Sequence, residues 1–128
     1  MGKNQYSKIK DEMKKIYFSI GFLHSQAFNN EKIYFDDSGF RHMLFKGKDP
    51  RPIADQVRRF KLFKHVSSIV KETKEISTFI TIRKAKFWSL EQTINEKRVV
   101  IVIRQILTGN KHFFSIMPKK HKGPKRDL

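Results

Sequence analysis

Two segments of the chain carry side chains that could act on a phosphate ester. The segment GFRHMLFKGKDPR places His42 and Lys46 four residues apart, which puts both on one face of a helical turn. A histidine titrates near neutral pH, so beside a cation it can take a proton from a hydroxyl group. The second segment, IRQILTGNKHFFSI, carries Arg104 inside one of the most apolar runs of the chain.

The second segment predicts a β-hairpin. Gly109 and Asn110 suit a two-residue turn, and in that register Arg104 lies opposite Ser115 on one face while His112 points to the other. Ser115 could then donate to the same phosphate oxygen as Arg104. A three-residue loop would slip the pairing by one and bring His112 onto the Arg104 face. We favour the two-residue turn.

An arginine on a central strand needs a partner, because a buried charge without one costs several kcal/mol. One interpretation is structural, with Arg104 in an ion pair with a carboxylate. The carboxylates available for it are Asp36, Asp37, Asp55 and Glu91. The other interpretation is functional, with the planar guanidinium fork facing a phosphate at the mouth of the sheet. The residue alone leaves both open.

The overall charge points to a polyanionic partner. Lys and Arg number 28 against 12 acidic residues among the 128, a formal charge of +16. Such an excess costs stability through self-repulsion and usually serves an anionic partner, with nucleic acid first and an anionic membrane surface second. Cysteine is absent, which fits a reducing cytosol and a cytoplasmic protein. No uncharged run is long enough to span a bilayer, so we expect no membrane partner.

The first half of the chain should position these residues with helices. Apolar side chains at helical spacing predict a first helix that Gly21 ends, and a second helical stretch from Ile53 to about Lys71. Between them, residues 33–35 could form a short strand and 36–39 a turn or a helix cap, followed by one or two helical turns closed by Gly47.

Beyond Glu75 the apolar period changes to two. The stretches ISTFITIRK, KFWSLEQTI, RVVIVIRQIL and KHFFSIM predict four strands of an antiparallel meander, with the third strand in the interior. The sequence therefore predicts an α+β fold in which N-terminal helices pack on a C-terminal four-stranded antiparallel sheet. We expect one domain over residues 1–118 and a flexible basic tail over 119–128.

The chain lacks the common metal and nucleotide motifs. The five histidines show no HExxH pattern and no tight pairing with aspartate, and neither a P-loop nor a GxSxG motif occurs. We therefore expect no metal and no cofactor.

A histidine in an early helical segment, followed by a four-stranded sheet with an inward arginine and a KHFFSI strand, resembles a nuclease superfamily. That superfamily groups barnase, EndoU, the tRNase colicins and RelE, and the chain looks most like its small phage and bacterial toxin members. The resemblance covers roughly residues 33–118. It implies an α+β fold and a metal-independent endoribonuclease whose partners would be RNA (tRNA, rRNA or mRNA) and an acidic antitoxin or immunity protein.

The resemblance also implies a set of site residues. His42, Arg104 and Ser115 would be catalytic, through attack of a ribose 2′-OH that leaves a 2′,3′-cyclic phosphate. The chain has no evident glutamate where barnase-like enzymes use one, which leaves the general base and acid open between histidines such as His42 and His112. Residues expected to contact the nucleic acid are Lys46, Arg51, Lys111, His112, Lys119 and Lys120.

A non-catalytic module that binds RNA or DNA is the competing hypothesis. It uses the same positive charge and would employ Trp88, Phe113 and Phe114 as stacking surfaces for bases. Core packing is the other explanation for these aromatic side chains. A binding module would tolerate loss of His42 or Arg104 with a modest, salt-dependent loss of affinity.

Overall fold

A computed structural model describes residues 2–119. Within that range the α-helices are α1 (Lys3–Ile20), α2 (Asp37–Leu44), α3 (Ile53–Leu62) and α4 (Val66–Glu72), and short 3-10 turns cover Gln26–Phe28 and Phe63–His65. The strands are β1 (Phe22–Ser25), β2 (Glu31–Tyr34), β3 (Phe45–Lys46), β4 (Asp49–Pro50), β5 (Thr78–Ile82), β6 (Ala85–Ile94), β7 (Lys97–Ile106) and β8 (His112–Pro118). The fold is α+β, as predicted. The predicted tail beyond Lys119, which includes Lys120, lies outside the described residues.

The main sheet has six strands rather than the four predicted, in the order β1-β2-β8-β7-β6-β5. Its C-terminal part is the expected antiparallel meander, and β7 pairs on both sides. The strand β1, which was not predicted, forms an antiparallel hairpin with β2. This hairpin joins the meander through a parallel pairing of Tyr34 with His112, where the Tyr34 amide donates to the Lys111 carbonyl at 3.0 Å. The sheet is therefore mixed.

The helices follow the predicted pattern, with one correction. The first helix ends before Gly21, whose φ of 71° favours glycine, and Met13 and Tyr17 are its buried residues. Ile16, expected on the same stripe, is 56% exposed. Asp36 caps α2 by accepting from the Ser38 amide at 3.2 Å, so the predicted helix cap is confirmed.

The chain after α2 differs from the prediction. Helix α2 ends at Leu44, and Lys46 lies on β3, paired with Asp49 across the turn that contains Gly47. The prediction that His42 and Lys46 share one helical face is therefore wrong. Gly47 has a φ of 63° and belongs to this small hairpin instead of closing the helix.

The register of the β7–β8 hairpin also differs from the prediction. The connection spans residues 107–111 instead of two residues, and Arg104 lies opposite His112 while Ser115 lies opposite Val102. The pairing shifts between Val102 and Ile103, so Phe114 is an extra residue on β8, a β-bulge. The predicted pairing of Arg104 with Ser115 is wrong, and His112 shares the Arg104 face.

One core joins the helices to the sheet, and Phe113 lies at its centre. The Phe113 ring is fully buried and packs on the rings of Tyr17, Phe35 and Phe63 at centroid distances of 5.9, 5.3 and 5.6 Å. Gly39 lets α2 approach this strand, because a Cβ there would lie 2.5 Å from the Phe113 carbonyl oxygen. The close approach brings the side chains of α2 to the edge of β8.

Candidate functional site

An open depression of about 370 Å³ lies where α2 and the β3–β4 hairpin meet the edge of the sheet. Its lining consists of Ser38, Arg41, His42, Phe45, Gly47, Arg104 and Phe114. The depression thus brings together His42 and Arg104, which are 62 positions apart in the sequence and were both predicted as site residues. Lys46, Arg51, His112 and Ser115 are not part of this lining. Arg51 contacts His42 and His112 contacts Arg104, whereas Ser115 contacts Arg59 of α3.

Arg104 rests on an aromatic ring and a histidine. Its guanidinium carbon lies 4.4 Å from the centroid of Phe114, a cation–π contact, and its Nε donates to Nε2 of His112 at 2.9 Å. Burial lowers the pKa of Arg104, while the nearby charge of Asp36 acts in the opposite direction. An arginine remains charged under these conditions.

The ion pair considered as the structural interpretation of Arg104 is not formed within the described range, residues 2–119. Asp55 is engaged by arginines of α3, and Glu91 pairs with Arg98 at 2.8 Å and with Lys119 at 3.2 Å. Asp36 is used as the helix cap and influences Arg104 only through its charge. Among the residues described, Arg104 therefore has no carboxylate in contact with it.

His42 is held as a neutral imidazole. Its ring packs 4.2 Å from the centroid of Phe114, and its Nε2 lies 3.5 Å from Nη2 of Arg51. Because a guanidinium can only donate, Nε2 carries the lone pair and Nδ1 carries the proton. Nδ1 is buried and has no partner among the described atoms. Burial, followed by the charges of Arg51, Arg59 and Arg104, lowers the pKa of His42 from 6.5 to about 4.

Arg51 was predicted to contact nucleic acid, but its side chain is only 8% exposed and forms part of a buried network. Its Nε donates to the main-chain carbonyl of His42 at 2.8 Å, and its Nη1 lies 3.4 Å from the Asp55 carboxylate. Asp55 also accepts from Arg58 at 2.7 Å and lies 3.4 Å from Nε of Arg59. These contacts fix the backbone and ring of His42 from behind.

His112 forms the second histidine–arginine pair of the site. Its side chain is buried, its Nε2 accepts from Arg104, and its Nδ1 lies 3.4 Å from the Asn110 carbonyl. The pKa of His112 is lowered from its ordinary value, mainly because the ring is buried. The charge of Asp36 opposes this effect, the charge of Arg104 adds to it, and the hydrogen bond to the Asn110 carbonyl opposes it. Like His42, this ring is a neutral imidazole whose lone pair faces an arginine.

Ser115 has a different environment from the one expected of a phosphate ligand. It is 1% exposed, and its Oγ accepts from Nη1 of Arg59 at 3.3 Å. The same Arg59 nitrogen donates to the Ile116 carbonyl at 3.0 Å and so satisfies the edge of β8. Ser115 therefore helps to attach α3 to the sheet.

The remaining predicted contacts are scattered over the surface. Lys111 pairs with Glu31 at 2.8 Å and lies 5.2 Å from the ring centroid of Trp88. Lys119 pairs with Glu91 at the far end of β7 and β8. Lys46 is exposed and lines a separate small depression with Asp49 and Arg51. These lysines do not converge on His42 and Arg104.

Ser38, Arg41 and Phe45 line the depression and Arg59 supports it, and none of them was predicted as a site residue from the sequence. Phe114 was considered only as a stacking surface for bases. Arg41 precedes His42, and Arg59 lies one helical turn beyond Asp55, so local spacing could have indicated both. The bulge that turns Phe114 toward His42 left no such signal.

Residues 2–119 hold no group of three His, Asp or Glu side chains placed to bind a metal ion. In the helices described, none is both long and apolar enough to cross a membrane. No family model matches the chain, and no curated protein or solved structure has significant similarity to it.

Proposed function

We propose that the protein is a metal-independent endoribonuclease of the phage or toxin type. The observation that supports this proposal most directly is the environment of Arg104. This cation has no carboxylate in contact with it among the described residues, adjoins the neutral His112, and lines one depression with the neutral His42. Phosphodiester cleavage without a metal requires a general base, a general acid and a cation that stabilises the developing negative charge, and two histidines and an arginine can fill these roles.

The substrate phosphate would bind in the depression. Arg104 offers a planar fork that matches two phosphate oxygens, and Arg41 and Ser38 of α2 also line the depression. Because the chain carries a formal charge of +16, an RNA backbone would also be attracted from a distance. An acidic inhibitor protein that covers the same depression is the partner expected of a toxin-type enzyme.

The chemistry begins at His42. Rotation of the ring moves Nε2 from the weak 3.5 Å contact with Arg51 into the depression, where this nitrogen accepts the proton of the ribose 2′-OH. The 2′ oxygen attacks the adjacent phosphorus, and Arg104 stabilises the negative charge that develops on the phosphate oxygens. The bond between phosphorus and the 5′ oxygen breaks, which leaves a 2′,3′-cyclic phosphate and a 5′-hydroxyl. DNA lacks the nucleophile.

His112 would supply the proton to the leaving 5′ oxygen. In the free protein its Nε2 accepts from Arg104. When Arg104 turns to the phosphate, this nitrogen is released and can bind a proton, a change that the charge of Asp36 favours. Arg51 and Ser115 do not touch the substrate in this scheme, since Arg51 holds His42 and Ser115 holds Arg59.

The test is incubation of the purified protein with total tRNA and rRNA in excess EDTA. We expect discrete fragments with cyclic phosphate ends from the parent, and none from folded His42→Ala or Arg104→Ala variants. Arg58→Ala is the matched control, because it removes an arginine that is 57% exposed and does not line the depression. Intact RNA that is nevertheless retarded on a gel would contradict the proposal and favour a non-catalytic binding module.

One observation favours that binding module as the second candidate. Phe79 is 52% exposed and stacks on Trp88 at 5.4 Å, an arrangement that could accept a base. Of the aromatic residues first considered for stacking, Phe113 is fully buried in the core and cannot serve. Phe114 lies in the depression and serves either function.

A further inference from the structure

A straight row of side chains crosses the sheet from its free edge to the depression. The register pairs Ile80 with Phe87, Phe87 with Arg104, and Arg104 with His112, on four successive strands and one face. The Phe87 ring packs edge-on against Phe114 at 5.6 Å, so the aromatic surface is continuous with the depression. Adjacent strands lie about 4.8 Å apart, which places Ile80 roughly 10 Å from Arg104.

The row begins at an exposed apolar patch. Ile80 belongs to the row itself, and Ile82 and Ile106 lie beside it on the same face; the three are 53%, 52% and 47% exposed. Every residue of β5 is exposed, and β5 is the edge strand of the sheet. A patch of large apolar side chains of this kind marks a binding surface more often than it marks ordinary protein surface.

The charge around the row selects the kind of occupant. Residues 76–90, which include β5 and much of β6, contain no Asp or Glu and three Lys or Arg residues. Glu91 lies on the same face of β6 as Phe87, and its carboxylate is paired with Arg98 and Lys119. A surface that combines exposed apolar side chains with cations, and whose β6 carboxylate is already paired, complements a polyanion whose own flat groups are exposed. Single-stranded nucleic acid has this chemistry, because its bases are free to stack while its phosphates face cations. Base pairing would hide those faces in a duplex.

We propose that the row from Phe87 to Ile80 is a stacking platform for unpaired bases next to the phosphate held at Arg104. This inference rests on the proposed function for the choice of RNA, and it makes the substrate class single-stranded RNA. The Phe87 ring receives the base adjacent to the phosphate, and Ile80 and Ile82 contact the next base toward the edge of the sheet. Cations of the β5–β6 turn face the backbone.

The experiment measures binding without chemistry. The probe is a labelled 2′-O-methyl RNA of roughly 12 nucleotides, within the range of single-strand binding sites, and its blocked 2′ oxygen prevents cleavage. Fluorescence anisotropy compares this strand with the same sequence in a duplex. We expect the single strand to bind more tightly, Phe87→Ala to raise its Kd about tenfold, and Phe87→Tyr to stay within about twofold because the ring is retained.

A second pair of variants separates stacking from general electrostatics and does not depend on the fold of Phe87→Ala. Ile80→Glu and Ile53→Glu introduce the same charge at isoleucines that are 53% and 47% exposed, one on the platform and one on α3. We expect Ile80→Glu to weaken binding several times more than Ile53→Glu. Equal losses in the two variants, or parental affinity in folded Phe87→Ala, would overturn the platform.

Two further outcomes distinguish failure of the endoribonuclease proposal from failure of the platform. If Phe87→Ala and Ile80→Glu weaken binding as expected but the parent leaves unmodified RNA intact, the platform stands and the endoribonuclease proposal falls. If the parent sediments as a dimer that Ile80→Glu dissociates, the exposed row is a contact between two copies of the chain and the platform is overturned.

Discussion

The two histidine–arginine pairs of this protein differ in how the arginine charge is balanced. On the helical side, Arg51 contacts His42 and shares the Asp55 carboxylate at 3.4 Å. On the sheet side, Arg104 contacts His112 and a phenylalanine ring, without a carboxylate in contact among the residues described. Phe114 touches one member of each pair, His42 and Arg104.

The difference separates a cation that stabilises the fold from a cation that can receive an anion. Moving a paired arginine toward a substrate would leave Asp55 short of a partner, which is costly in a buried network. Moving Arg104 gives up one hydrogen bond to a neutral ring and a cation–π contact. Four experiments test this distinction.

The largest effect should come from Arg104→Ala. We expect RNA cleavage to fall by about 10²–10³, because a preorganised charge at the developing phosphate oxygens is lost. Arg104→Lys keeps the charge without the planar fork and should recover only part of the rate. Cleavage rates and thermal melts check this together. A large loss of stability in Arg104→Ala would place this arginine with Arg51 and remove the distinction.

Arg51→Met should act on the fold first. We expect the free energy of unfolding to fall by about 2–3 kcal/mol, because the buried hydrogen bonds of this cation are lost. The control is Arg58→Met, which removes an exposed arginine from the same carboxylate and should cost less than about 0.5 kcal/mol. Urea denaturation measures both. Equal costs would mean that Arg51 contributes no more than a surface ion pair.

The pH dependence of His42 gives a test without RNA. Its pKa of about 4 in the folded protein lies below the ordinary 6.5, so the unfolded chain binds the proton first as the pH falls. The contribution is fully present above about pH 6.5 and is lost as the pH falls toward 4, and His42→Gln should flatten this dependence. Chemical shifts of the ring should give the low pKa directly. Added phosphate should raise this pKa, because an anion at Arg104 favours the imidazolium.

Ser115→Ala should have the smallest effect. We expect a loss of about 1 kcal/mol of stability, since Arg59 loses one acceptor and keeps the Ile116 carbonyl. Ser25→Ala is the control, because Ser25 is equally buried and its hydroxyl has no partner among the described atoms. Cleavage by folded Ser115→Ala should stay near the parental rate. A fall of about a hundredfold would instead support Ser115 as a phosphate ligand.

Much of the fold was predictable because its elements carry strong local patterns. The stripe containing Met13 and Tyr17 predicted α1, and β-branched alternation predicted the last four strands. The strand β1 has only four residues and little alternation, and its place in the sheet depends on a single parallel pairing at Tyr34. Short strands held by non-local contacts leave no local signal.

The site was predictable in part for the same reason. His42 and Arg104 could be selected by residue type, and they line the same depression. Their neighbours could not be predicted, because the five-residue connection and the bulge at Phe114 together place His112 instead of Ser115 opposite Arg104, and turn composition alone does not reveal a bulge. The burial of Arg51 depends on how α3 packs, which the sequence pattern leaves open.

The bulge also has a consequence for how this strand can change over time. Phe114 is an extra residue between Phe113, which fills the core, and Ser115, which points to the opposite face. Deleting Phe114 would leave Phe113 opposite Ile103 and Ser115 opposite Val102 in a regular ladder, so the other side chains of β8 would keep their faces while the ring shared by His42 and Arg104 would be lost. A shorter β8 without Phe114 should therefore keep the core packing of the strand and lose the aromatic contact that joins the helical and sheet sides of the depression.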